Sequence, residues 1–86
     1  MGSNVETLYH MFDNRVEAVE FKIDKESKVT NVPLMKLKLK DNLLICFISR
    51  QGKIIIPTGQ DCILPGDHVM VVSTHTGFRD INNILA

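Results

Sequence analysis

The sequence predicts a small α+β domain, and three observations carry that class. Apolar residues fall at helical spacing at both ends of the chain, as Val5, Leu8, Tyr9 and Phe12 and again as Phe78, Ile81, Ile84 and Leu85. Val19, Phe21 and Ile23 alternate with Glu20, Lys22 and Asp24, the period of a strand with one buried and one wet face. Two nearly continuous apolar runs, Leu43 to Ile48 and Ile54 to Ile56, flank the tight turn Arg50-Gln51-Gly52-Lys53. Strands and helices do not alternate one for one, which separates the chain from the doubly wound α/β class.

The first element is expected as a helix over about residues 4–12, with Ser3 and Glu6 in a capping box and Asp13-Asn14 at its end. So short a helix is marginal alone in water and must dock its apolar stripe, either on its own domain or as the tail of a linker from an upstream domain. The strand through Val19 to Ile23 follows, then a polar loop over Lys25 to Asn31. Pro33 suits the first turn of a short helix, where its missing N–H costs nothing, and Leu34, Leu37 and Leu39 supply that segment's core contacts. The hairpin strands are expected at about 43–50 and 53–57, with Gly52 supplying the positive φ of a type I′ turn. Thr58 to Leu64 is an irregular crossing, and Leu64-Pro65-Gly66-Asp67 reads as a type II turn. His68 to Ser73 is the last strand, with Val69 and Val71 on one face and Met70 and Val72 on the other. The helix through Phe78 to Leu85 closes the chain, with Thr76 as its expected N-cap.

The hairpin is the most informative part. A surface strand alternates apolar and polar residues because successive side chains point to opposite faces. These two strands do not alternate, so each is expected to bury both faces. One face belongs to the domain core. The other is covered by a second copy, by a ligand, or by more of the same chain. A domain of 86 residues buries roughly 60–65% of its extended surface, so its core is thin and a second copy would add to it.

Charge and composition narrow the function. Ten basic and ten acidic residues cancel, which argues against the clustered positive charge of a nucleic-acid grip. Lys36, Lys38 and Lys40 alternate with Leu37 and Leu39, as on the wet face of an extended segment. Cys46 and Cys62 sit among apolar neighbours without a CxxC spacing, and His10, His68 and His75 are scattered singly, so no zinc site is expected. A reduced, intracellular protein is the simplest reading of two such cysteines. No apolar stretch is long enough to span a bilayer, and Met1-Gly2-Ser3 resembles an expression scar.

An enzyme needs convergent polar groups in a cleft, and the chain offers few. Asp61 and Asp67 are the one candidate carboxylate pair, but both lie in turn-forming segments, where Asp commonly serves the turn itself. Gly59 and Gly66 are isolated, so no phosphate-cradling loop is present. A binding module is the better expectation. A pocket on a two-fold axis of the hairpin would be walled by isoleucines, with Arg50, Lys53 and the backbone near Pro57 as its polar groups. Arg50 is read either as a bidentate partner for phosphate or carboxylate or as an exposed residue beside a turn.

Five segments in order then resemble a known family: Val16-Glu17-Ala18-Val19-Glu20-Phe21, Val32-Pro33-Leu34 with Leu37, Ile48-Ser49-Arg50-Gln51-Gly52, Ile54-Ile55-Ile56-Pro57-Thr58-Gly59, and Pro65-Gly66-Asp67-His68-Val69. Together they are similar to the TrkA C-terminal domain, also called the RCK C-terminal domain, over roughly residues 15 to 75. The resemblance implies a small pseudo-barrel of about four strands, ordered β-X-β-β-X-β-α and capped by a helix. It divides the chain into an N-terminal linker helix at 1–14 and the domain proper at 15–86. It implies a homodimer formed through the hairpin strands, a cytoplasmic place at the inner face of the membrane, and a membrane-embedded potassium transporter subunit as partner of the full-length protein. It implies neither nucleic-acid binding nor direct membrane insertion. NAD binding is not implied, because the family's nucleotide-binding half has no counterpart here. A small nucleotide effector such as cyclic di-AMP is implied at the dimer interface, with Ile45, Phe47, Ser49, Arg50, Ile54, Ile55, Ile56 and Pro57 as its wall and Arg50 as phosphate partner. The expected function is regulation of cation transport by ligand sensing and population shift; the alternative is an oligomerisation module without a ligand.

Overall fold

A computed structural model describes residues 2–86. Its framework is one antiparallel sheet of five strands: β1 (Ser3–Met11), β2 (Val16–Ile23), β3 (Leu43–Arg50), β4 (Lys53–Ile55) and β5 (His68–Ser73). The spatial order is β1-β2-β5-β3-β4, so the last strand in sequence is the middle strand of the sheet. Among the described residues, helix is confined to two single turns of 3-10 type, Leu34–Lys36 and Ile81–Ile84. The α+β expectation is therefore corrected to a small antiparallel sheet with almost no helix, and the count of about four strands rises to five.

Register builds the core. Val19 pairs with Val71 and Val71 with Ile45; Phe21 pairs with Val69 and Val69 with Ile48. These rows point to one face, where Ile23, Val29, Ile63, Ile81 and Ile84 complete a fully buried cluster. Its cover comes from the crossings and turns, with Leu34, Leu37, Leu39, Ile55 and Phe78 packed at its margin. Pro33 precedes the first 3-10 turn, as its fixed φ favours. Both predicted turns form: Gln51 and Gly52 have φ of 49° and 78°, and Gly66 at 93° lets the Asp67 N–H reach the Leu64 carbonyl at 3.1 Å.

The expected N-terminal helix over 4–12 is instead β1, paired along its length with β2. The register shifts between Val5 and Thr7, which leaves Glu6 as a bulge. Val5 and Leu8 then oppose Phe21 and Val19 on the same face, so a spacing of three belongs to a strand. The Ser3–Glu6 capping box does not form. Ser3 Oγ donates to Asp80 Oδ1 at 2.8 Å and accepts from the Ile81 N–H at 2.7 Å. The segment expected as a linker is thus an edge strand of the main sheet.

The closing helix is likewise corrected. Phe78, Ile81 and Ile84 recur at intervals of three, the period of a 3-10 turn. Asp80, not Thr76, is its N-cap, and Asn83 closes the capping box. The β1–β2 connection is the most strained segment: Phe12, Asp13 and Asn14 all have positive φ, at 54°, 57° and 64°. Asp and Asn tolerate this region, whereas a bulky aromatic residue does so rarely.

Candidate functional site

The outer face of the sheet carries the feature that the core does not explain. Strand alternation sends Met70 and Val72 of β5 away from the core, while Val69 and Val71 are fully buried. Their partners on β3 are Phe47 and Leu44. A second bulge, at Cys46, lies between Ile45 and Phe47. It lets Ile45 and Ile48 both face inward at a spacing of three and frees Leu44 and Phe47 to face outward. Ser49 pairs with Ile54, so Ile54 shares the outer face. Leu44, Ile54 and Ile56 are 63%, 64% and 72% exposed, and they lie beside half-buried Phe47, Met70 and Val72 rather than singly, which is what makes exposed apolar residues informative. Beside Leu44 and Val72, a depression of about 280 Å³ opens between Val16, Asn42 and Thr74.

The rim of this face is polar. His68 Nδ1 lies 2.9 Å from Glu20 Oε2, and Thr7 Oγ1 donates to Glu20 Oε1 at 2.9 Å. Burial pushes the Cys46 thiol above its ordinary value, against a smaller opposing effect of the Val72 backbone.

The expected site residues divide between the two faces. Phe47, Ser49 and Ile54 lie on the outer face, and exposed Ile56 and half-buried Pro57 follow β4. Ile45 is buried in the core, and Ile55, opposite Ile48, packs against it. Arg50 is engaged within the chain. Its Nε donates to Asp67 Oδ1 at 2.8 Å, and its Nη2 donates to Asp67 Oδ2 and to the Cys62 carbonyl, both at 2.9 Å. The hydrogen bond to Asp67 raises the Arg50 pKa further. Asp67 is 1% exposed and also accepts from the Leu64 N–H at 2.8 Å. The pair ties the end of β3 to the crossing and to the turn before β5.

Sequence reasoning assigned Asp67 to its turn and missed this partner, because the two residues meet only through tertiary structure. Asp61 serves its own loop, accepting from the Thr58 N–H at 2.7 Å. The two carboxylates thus hold separate structural duties. Leu44, Met70 and Val72 were absent from the expected site; the alternation of β5 is the signal that finds two of them. Among the described residues, no group of three or more His, Cys, Asp or Glu is placed to hold a metal ion, and no helix is long and apolar enough to cross a membrane.

Comparison with known proteins adds an independent observation. The family model described as the TrkA-C domain matches residues 18–86. The Trk system potassium uptake protein trkA homolog 1 of Methanosarcina mazei is 33% identical over 72 residues, 84% of this chain and 18% of its own length. Homolog 2 from the same organism is 25% identical over 84 residues, 98% of this chain and 19% of its own. The Trk system potassium uptake protein TrkA homolog of Pyrococcus abyssi is 26% identical over 70 residues, 80% of this chain and 31% of its own. The chain therefore spans between about a fifth and a third of the length of these relatives.

Proposed function

The chain belongs to the TrkA-C domain family, and from that premise we propose that it is a regulatory domain of potassium transport that works by self-association through the outer face of β3, β4 and β5. The relatives are named as components of Trk potassium uptake systems, which supports the transport setting. One observation carries the rest: Leu44, Ile54 and Ile56 stand in water on one face of a small sheet. A two-fold pairing of that face would bury the same patch on both copies and enlarge a thin core.

Regulation would then follow from population shift. A ligand that binds one arrangement of the pair more tightly than another moves the balance by its differential affinity and no more. A symmetric ligand with two phosphates, of the cyclic di-AMP kind, suits a two-fold site. Lys53 and the backbone near Pro57 are its available polar partners, since Arg50 already holds Asp67 and the Cys62 carbonyl. That engagement favours a second reading, in which the domain self-associates without a ligand.

Sedimentation of the chain and of Ile54→Asp tests the proposal. A concentration-dependent dimer that the variant converts to a folded monomer is the expected result; a monomer at every concentration overturns it. Thermal shift with cyclic di-AMP separates the two readings. A native-state site gives stabilisation that grows with ligand concentration, and a flat response leaves the ligand-free module.

A further inference from the structure

The C-terminal segment is held at both ends by groups distant in sequence. At its start, Asp80 Oδ1 accepts from the Ser3 N–H at 3.2 Å and from Ser3 Oγ at 2.8 Å, and Ser3 Oγ accepts from the Ile81 N–H at 2.7 Å. Asp80 Oδ2 accepts from the Asn82 N–H at 3.0 Å and from Asn82 Nδ2 at 2.8 Å. At its end, the Lys40 N–H donates to the Ile84 carbonyl at 2.8 Å and the Ala86 N–H to the Lys38 carbonyl at 2.9 Å. Lys40 Nζ reaches the carbonyls of Asn83 and Leu85 at 2.5 and 2.7 Å. Between these two fastenings, Ile81 and Ile84 are fully buried in the core.

We propose that residues 80–86 form a detachable plug whose release and the freeing of Ser3, at the head of β1, from Asp80 are one event. None of the five sheet strands lies within the plug, whose one β-bridge joins Leu85 to Leu39 outside them, so it can leave while the five-stranded sheet stays hydrogen-bonded. Such partial openings are the usual low-energy excursions of a folded domain. Ser3 loses its side-chain partner when Asp80 leaves, and Ile81 and Ile84, fully buried between the two fastenings, carry an opening at one end to the other. Opening removes Ile81 and Ile84 from the inner face of the sheet, opposite the exposed outer face. Whatever pulls on or binds β1 is thereby registered at the C terminus.

Native-state hydrogen exchange on the full chain, read by NMR, tests this. The amides of Ser3, Lys40, Ile81 and Ala86 are expected to exchange with one opening constant, faster than those of Val69 and Val71 in β5. Asp80→Asn is expected to speed all four by a common factor of about ten and to leave the β5 amides unchanged. Lys40→Ala, acting from the other fastening, is expected to speed Ser3 and Ile81 as well, because coupling is reciprocal. Acceleration confined to the residues that touch the altered side chain, or an equal acceleration of β5, overturns the proposal. Should Asp80→Asn fail to fold, Lys40→Ala, an edit at a half-buried side chain, decides the matter alone.

Discussion

Arg50 grips Asp67 through two parallel hydrogen bonds, Nε to Oδ1 at 2.8 Å and Nη2 to Oδ2 at 2.9 Å. The carboxylate is buried and the guanidinium half-buried. Planar pairing of this kind is specific to Arg, since Lys presents a point charge. Arg50→Met is expected to cost about 3 kcal/mol of unfolding free energy in urea, because it leaves Asp67 charged and alone in the interior. Arg50→Met combined with Asp67→Asn is expected to recover part of that loss. The amide removes the stranded charge and keeps an acceptor for the Leu64 N–H. A double variant no more stable than the single one would show that the pair is not what holds this corner.

Neighbouring isoleucines on β4 are expected to respond oppositely to the same change. Ile54 is exposed and Ile55 packs against the core. Ile54→Asp should abolish association and leave a folded monomer. Ile55→Asp should unfold the domain by burying an unpaired charge. Circular dichroism melts of the two variants make the comparison.

Acid should release the C-terminal turn. Burial pushes the Asp80 carboxyl up, but hydrogen bonds from Asn82 and Ser3 outweigh it and hold the group below the ordinary carboxylate range. A group depressed in the folded state contributes stability above its unfolded value, about 3.9, and loses it as pH falls through the lower folded value. The stability gap between the chain and Asp80→Asn is therefore expected to be full at neutral pH and to close as pH falls below about 4. Urea titrations across that range measure it, and a gap independent of pH would contradict the assignment.

Phe12 is expected to be a site of easy stabilisation. It is 71% exposed and held at a φ of 54°. Left-handed backbone costs a residue with a side chain roughly 1–2 kcal/mol, whereas glycine adopts it freely. Phe12→Gly should raise the melting temperature by several degrees, on the order of 4–8 °C for each kcal/mol in a domain of this size. No loss of core burial offsets the gain, since the ring lies in water.

Much of the sheet was legible because period two survives in β2 and β5, where Val19-Phe21-Ile23 and Val69-Val71 mark the buried face directly. The turns at Gly52 and Gly66 were legible from residue chemistry. Legibility failed where bulges intervene. The bulge at Glu6 puts Val5 and Leu8 on one face at a spacing of three, which is also the signature of a helix turn. The bulge at Cys46 does the same for Ile45 and Ile48, so the expected wall mixed inward Ile45 and Ile55 with outward Phe47 and Ile54. Arg50 was legible as a charged group beside a turn, but its partner was not, because pairing across the crossing leaves no local pattern. The apolar runs of the hairpin led to the expectation that both faces are covered, whereas within the chain Leu44, Ile54 and Ile56 stand exposed on the second face.

The position of β5 constrains how the molecule comes into being. Each of the two hairpins, β1 with β2 and β3 with β4, is local in sequence, and they share no hydrogen bonds with one another. Only His68–Ser73 stitches them together, and it leaves the ribosome after both. Two lone hairpins are at best marginally stable in water, so this part of the nascent chain waits unfolded until β5 has emerged. Its apolar strands are open to wrong partners during that interval, and assembly then proceeds in a single late step limited by the closing of long loops.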